Sequence, residues 1–224
     1  MGIITHNLSN GHGEEFPGGN TSDTGSWTHS GIATRHGLAV VTASLTTAGG
    51  ASNSVTATYG GVSMTLQGVQ VGGSGDAIRL ALFTLLNPPT GSQTVSVVWS
   101  GLSFTLPGKV FSASSSTYRN VRSVSGYTGG DGYGTTSSAT VTSLTANDFA
   151  LFGHARQTST AFSTYNRTQR FTGSFSTLGR IVVGDNTAST GSVTSTATMS
   201  ASDYHLAHGI RVERFAEGDF FAAG

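Results

Sequence analysis

The sequence predicts an all-β protein, an antiparallel two-sheet sandwich (jelly roll) with an extended N-terminal arm and a short C-terminal tail. Three observations carry this. Apolar and polar residues alternate in short runs at roughly 8–12-residue spacing, the pattern of half-buried strands separated by turns. Gly fills 32 of the 224 positions and punctuates those runs. No window shows an apolar stripe at helical spacing, and the tail segment Ala216–Phe221 is too short and glycine-broken for a stable helix.

Taken in order, residues 1–30 hold Gly11, Gly13, Pro17, Gly18, Gly19 and Gly25 with few aliphatics, and read as an arm outside the core. Leu38–Leu45 reads as a strand closed by Gly49-Gly50. Val55–Tyr59 alternates, Gly60-Gly61 turns the chain, and Val62–Leu66 alternates again, a hairpin signature. Ile78–Leu85 stops at Asn87-Pro88-Pro89-Thr90-Gly91, because two prolines remove two backbone donors. Val95–Trp99 completes a second hairpin, with Trp99 expected in the core. The Gly/Ser stretches 72–75 and 112–117 read as loops, as does Gly126–Gly134. Val121–Val124, Ala139–Leu144, Phe149–Phe152, Phe171–Phe175, Arg180–Val183, Val193–Met199 and His208–Glu213 supply the remaining strands, with Asn147-Asp148 as a turn. The expected organisation is an arm over 1–30, one sandwich over 31–215 and a tail over 216–224.

Composition excludes several classes. Eleven basic and eleven acidic residues give zero formal net charge, which argues against nucleic-acid binding, since that needs a basic excess to displace counterions from phosphates. Lys109 is the single lysine, so no polybasic run exists to hold a membrane surface. No apolar run reaches the ~20 residues of a spanning helix. Cys is absent, which removes disulfides, thiolate metal sites and a Cys nucleophile. Met1–His6 lacks a basic region leading into an apolar stretch, so the reading expects no Sec-type leader. Few charges on a Ser/Thr-rich β surface do little to repel other sheet edges, and suggest that much of it faces other protein.

No catalytic, cofactor or metal site emerges. His205 and His208 are three apart on a strand and point to opposite faces; no HxH or HExxH pattern occurs. Asp131 within Gly129–Gly134 lacks the oxygen ligands at alternating positions that calcium takes. No GxSxG elbow, phosphate loop or acid pair is present. The aromatics divide into two sets. Phe16, Trp27, Phe215, Phe220 and Phe221 are candidate interface anchors, or else fold back onto their own sandwich. Tyr118, Tyr127, Tyr133 and Tyr165 fall at loops or strand ends, where an exposed ring could stack on a sugar or plug a sandwich end.

Three segments, Val55–Leu66 ("TYGG…MTL"), Leu86–Trp99 ("NPPTG…TVSV") and Tyr118–Gly126, resemble a jelly-roll module of tailed-phage virion proteins and some bacterial surface proteins. The likeness extends through Ala139–Leu144, Phe149–Leu151 and His208–Val212, covering about residues 35–215. Its motifs are turn and strand signatures, which speak to fold more than to activity. The resemblance implies a non-enzymatic virion structural protein, most concretely a capsid decoration protein on the capsid exterior. The major capsid protein or other virion proteins would be its partners, and a homo-oligomer, with a trimer the first guess, its assembly. The alternative it leaves open is a carbohydrate- or receptor-binding module of a tail, fibre or capsid surface, with host glycan as partner.

Overall fold

The computed structural model describes residues 4–16, 20–30, 36–46, 54–102, 109–146, 148–175, 178–186 and 190–215. The chain is all-β, and its strands are paired antiparallel in sheets packed face to face as a sandwich. Among the described residues the sheets number three. The outer sheet has the order β2(Ser22–Ser30), β8(Ser92–Ser100), β4(Ser54–Tyr59), β5(Val62–Ser63). The central sheet runs β1(Thr5–Phe16), β9(Lys109–Arg119), β3(Gly37–Thr46), β7(Ile78–Leu86), β6(Thr65–Gly72). The rear sheet runs β10(Val121–Leu144), β15(Gly191–Arg214), β11(Phe149–Thr158), β14(Leu178–Asn186), β13(Thr168–Phe175), and β12(Phe162–Tyr165) pairs with β15.

Burial shows how the layers stack. Every residue of β3 is buried, as is every residue of β9 up to Tyr118, so the central sheet is covered on both faces. One face packs on the outer sheet through Val41, Leu45, Phe83 and Phe111 against Val55, Tyr59, Val95 and Trp99. The other meets the rear sheet through Leu38, Val40, Leu82 and Tyr118 against Phe149, Leu151, Ile210 and Val212, and through Ile78 and Leu80 against Ile181 and Leu206. A cavity of about 10 Å³, room for roughly one water, lies in this second interface beside Thr42, Ser114 and Tyr118.

The 24-residue strands β10 and β15 add a fourth layer. Their pairing jumps from Gly134↔Asp203 to Thr136↔Thr198, and beyond that jump the hairpin folds back over the rear sheet as a flap. Ala139, Val141, Leu144 and Val193 of the flap pack on Ala150, Phe152 and Ala207. The turn into β11 is closed by Asp148, whose N–H donates to Thr145 O at 3.0 Å while its Oδ2 accepts from Thr145 N, Thr145 Oγ1 and Arg211 Nε at 2.7–2.8 Å. Asn147 lies outside the described residues.

Four sequence expectations are corrected here. The second hairpin, expected from Ile78–Leu85 and Val95–Trp99, does not form: β7 lies in the central sheet and β8 in the outer sheet, so the Asn87–Gly91 segment carries the chain from one layer to the next. The stretch 112–117, read as a loop, is part of β9 at the centre of the molecule. Its alternate residues face the two neighbouring layers; Ser115 bonds Trp27 and His29, Thr117 bonds His29 and Ser116 bonds Ser9, while among the described residues the hydroxyls of Ser112 and Ser114 are buried without a partner. The loop expected at Gly126–Gly134 is the middle of β10. The 1–30 arm is not an arm over 5–16 and 22–30: β1 pairs with β9 and β2 pairs with β8 along their lengths. The inward positions of β2 are Asp23, Gly25, Trp27 and His29, a set too polar to register as a core strand by hydropathy. Gly25 is needed because Phe111 lies over it, with a Cβ there falling 2.2 Å from the ring; Gly11 of β1 likewise lies under Phe171. At the hairpin, Gly60 and Gly61 adopt φ +57 and +78, the conformation a two-residue turn between twisted strands requires.

Candidate functional site

The chemistry-bearing side chains are structural members of the three interlayer spaces. A fully buried histidine sits in each. Between outer and central sheets, His29 Nδ1 lies 2.8 Å from Ser115 Oγ and Nε2 3.3 Å from Thr117 Oγ1. Between central and rear sheets, His208 Nε2 lies 3.3 Å from Thr42 Oγ1. Between rear sheet and flap, His154 is held by Ser137 Oγ and Ser195 Oγ at 2.9 Å each. Burial first, with a second histidine nearby in each case, lowers the pKa of His29 to about 4 and those of His154 and His208 to about 3. These rings are neutral hydrogen-bonding pegs at neutral pH. His205 and His208 do lie on opposite faces of β15: His205 pairs across to Arg156 and Gly132, while His208 points into the central interface.

The buried acids are paired in the same way. Asp203 Oδ2 accepts from Arg156 Nε at 2.8 Å, Asp185 Oδ2 accepts from Arg170 Nε at 2.5 Å and from Tyr118 Oη at 3.1 Å, and Lys109 Nζ lies 3.5 Å from Asp23 Oδ2. Burial, and then the Asp185 charge, raise the Tyr118 hydroxyl well above its usual range, so it stays a donor. Among the described residues no three His, Asp or Glu converge as a metal would require.

What the molecule presents outward is different. The solvent face of the outer sheet carries Ser22, Thr24, Ser26, Thr28 and Ser30 on β2, with Thr94, Ser96, Ser100, Ser54, Thr56 and Thr58 beside them. Cross-strand hydroxyls bond to one another, Ser26 to Ser96 at 3.1 Å and Ser54 to Ser100 at 2.7 Å. The far face of the flap repeats the arrangement: Thr140 and Thr194 are 2.8 Å apart, and Thr198 bonds both Ser163 at 2.9 Å and Thr164 at 2.6 Å. Strands β2, β4, β8 and β12 and the flap segments 136–144 and 191–201 contain one charged residue, Asp23, and it points inward. The outward side chains of these segments are therefore uncharged hydroxyl lattices, the flap's bordered by Arg167, whose guanidinium donates to Thr194 O and Asn186 Oδ1, and these are the candidate interaction faces.

The aromatic candidates separate by position. Trp27 is 9% exposed; it packs in its own core, stacked on His12 with ring centroids 5.6 Å apart, and its Nε1 donates to Ser115 Oγ at 2.8 Å, so it is not free to anchor a neighbouring subunit. Phe215 is half-buried with its ring 4.6 Å from His36. Phe16 closes β1 opposite Lys109, and Phe220 and Phe221 lie outside the described residues. Tyr118 is 1% exposed and offers no ring to a ligand. Tyr127 covers Gly68 and accepts from Gln70 Nε2 at 3.2 Å, and Tyr165 covers Gly184 and packs edge-on against His154. Only Tyr133 of these four is an open ring, 66% exposed and 4.9 Å from its cross-strand neighbour Tyr204, with Gly132 and Gly134 on either side. Sequence reasoning missed Tyr204 because the pairing of β10 with β15 joins positions about seventy residues apart.

Protein-family models and curated protein sequences were both compared with the chain, and none matches it.

Proposed function

We propose that the chain is a non-enzymatic structural protein of a virion, most concretely a decoration protein that docks on the exterior of a phage capsid and on copies of itself. The resemblance of its hairpins to the virion jelly-roll module supports this reading. The observation that carries it is the pair of uncharged, hydroxyl-covered faces at opposite ends of a rigid four-layer body. A face without charge can be covered by protein without the desolvation cost of stranding ions. Light scattering of the full chain across concentration tests it. A stable oligomer is expected, and the double variant Thr56→Glu/Ser96→Glu on one face or Thr140→Glu/Thr194→Glu on the other should reduce it to monomer without lowering the melting temperature. A wild-type monomer that also fails to bind capsids would overturn the proposal.

The Tyr133–Tyr204 pair favours a second reading, a glycan- or receptor-binding module, because an exposed ring flanked by glycines can lie flat on a sugar. That reading expects saturable binding on a glycan array, lost in Tyr133→Ala. An array with no signal removes it.

A further inference from the structure

The single lysine of the chain is in an unusual place. Lys109 is 1% exposed and begins β9 in the central sheet; Asp23, 7% exposed, lies across from it on β2 of the outer sheet. Lys109 Nζ donates to the backbone carbonyl of Asn20 at 2.8 Å and lies 3.5 Å from Asp23 Oδ2. Asn20 Nδ2 donates to Asp23 Oδ1 at 2.9 Å. One carboxylate thus touches an amine through one oxygen and a side-chain amide nitrogen through the other. An ionised carboxylate only accepts, so the amide group turned toward it is the NH₂, the leaving group of any acyl transfer at Asn20.

We propose that Lys109 and Asn20 form an intramolecular isopeptide bond, with Asp23 as the acid–base group. This is independent of the virion reading. Asp23 Oδ2 takes one proton from Nζ, and the freed lone pair attacks Asn20 Cγ. Asp23 then delivers that proton to Nδ2 as the tetrahedral intermediate collapses. The Cγ–Nδ2 bond breaks, the Nζ–Cγ amide remains, and ammonia leaves with the second Nζ proton. No oxidant or cofactor is consumed. The amine is held at the Asn20 backbone carbonyl and the exposed Asn20 side chain is turned by the same carboxylate, so the reaction is intramolecular and needs only a rotation of that side chain to bring Cγ to Nζ. The product removes the only ammonium side chain from a buried site and ties the outer sheet covalently to the central sheet.

The test is the intact mass of the purified full chain, denatured after storage at neutral pH. The expected mass is that of the sequence, allowing for Met1 excision, less one ammonia. A tryptic digest should contain peptide 1–35 joined to peptide 80–119, uncut after Lys109 because an acylated lysine is not a trypsin site. Lys109→Arg and Asp23→Ala should each show full mass. A folded wild-type chain at full mass overturns the proposal. So does an ammonia loss that persists in Lys109→Arg, which would mark succinimide formation at a site such as Asn10-Gly11, or a water loss mapping to Asp23 as acyl donor. The wild-type measurement decides the matter even where a variant fails to fold.

Discussion

Acidification from pH 7 to about 5 is expected to cost the protein several kcal/mol of stability, the largest pH effect in the molecule. His29, His154 and His208 are fully buried and their folded pKa values lie at about 4, 3 and 3, against 6.5 unfolded. The sign follows from which state binds protons. Above pH 6.5 neither state is protonated and the full stability is present. Below it the unfolded chain takes up to three protons that the folded chain refuses until about pH 4, so stability falls with pH across that window. Each such proton is worth about 1.4 kcal/mol per pH unit, so the limiting slope for three is about 4 kcal/mol per unit. Urea unfolding midpoints measured between pH 7.5 and 5 check this, and His154→Asn should flatten the slope by about one proton. A midpoint constant over the range would refute it. The Glu213 carboxyl acts in a separate window. The Ser123 hydroxyl chiefly holds its pKa below 4.5, so its contribution is present above 4.5 and is lost as pH falls further.

Truncating Asp203 is expected to be the most damaging single substitution. Its Oδ2 accepts from Arg156 Nε at 2.8 Å, Thr158 Oγ1 at 2.9 Å and Thr158 N at 3.1 Å, and its Oδ1 accepts from Tyr204 N at 2.8 Å. Arg156 is 2% exposed and its Nη1 donates to the carbonyls of Thr160 and Ala161 at 3.0 and 3.2 Å. This clamp sits where β15 leaves the flap and enters the rear sheet, so it fixes the fold-back of the fourth layer. Asp203→Ala strands a buried guanidinium and should cost about 3–5 kcal/mol. Asp203→Asn, which keeps the shape and loses the charge, should cost less. Denaturant melts of both check the order; a loss below about 1 kcal/mol in Asp203→Ala would show the pair to be dispensable. Replacing both members by apolar residues should restore most of the loss, because neither charge is then left unpaired.

The Gly60-Gly61 hairpin, the strand alternation and the all-β class were legible in the sequence, since each depends on residues adjacent in the chain; the second expected hairpin was not, because β7 and β8 pair with strands of different sheets. The candidate sites were legible only in part. Tyr133 stands out in its glycine setting, but whether it is exposed depends on β15, and its partner Tyr204 is brought beside it by the strand pairing. The hydroxyl faces were legible as Ser and Thr at the outer positions of alternating strands, but which strands lie side by side to build them was not.

By itself the sequence determined the all-β class, because period-two patterning and turn glycines act through local backbone geometry. It also determined that the chain carries no net charge and a single lysine. Tertiary structure alone decided the number of layers and therefore what counts as inside. Ser115, Thr117, His29, His154, His208 and Asp23 have the polarity of surface residues, and only the stacking of a sheet on each side of the central one, with a flap behind, supplies the hydrogen-bond partners that let them be buried. Hydropathy is a property of a residue; burial is a property of its partners, and for most of these residues those partners lie on other strands, many of them tens of residues away.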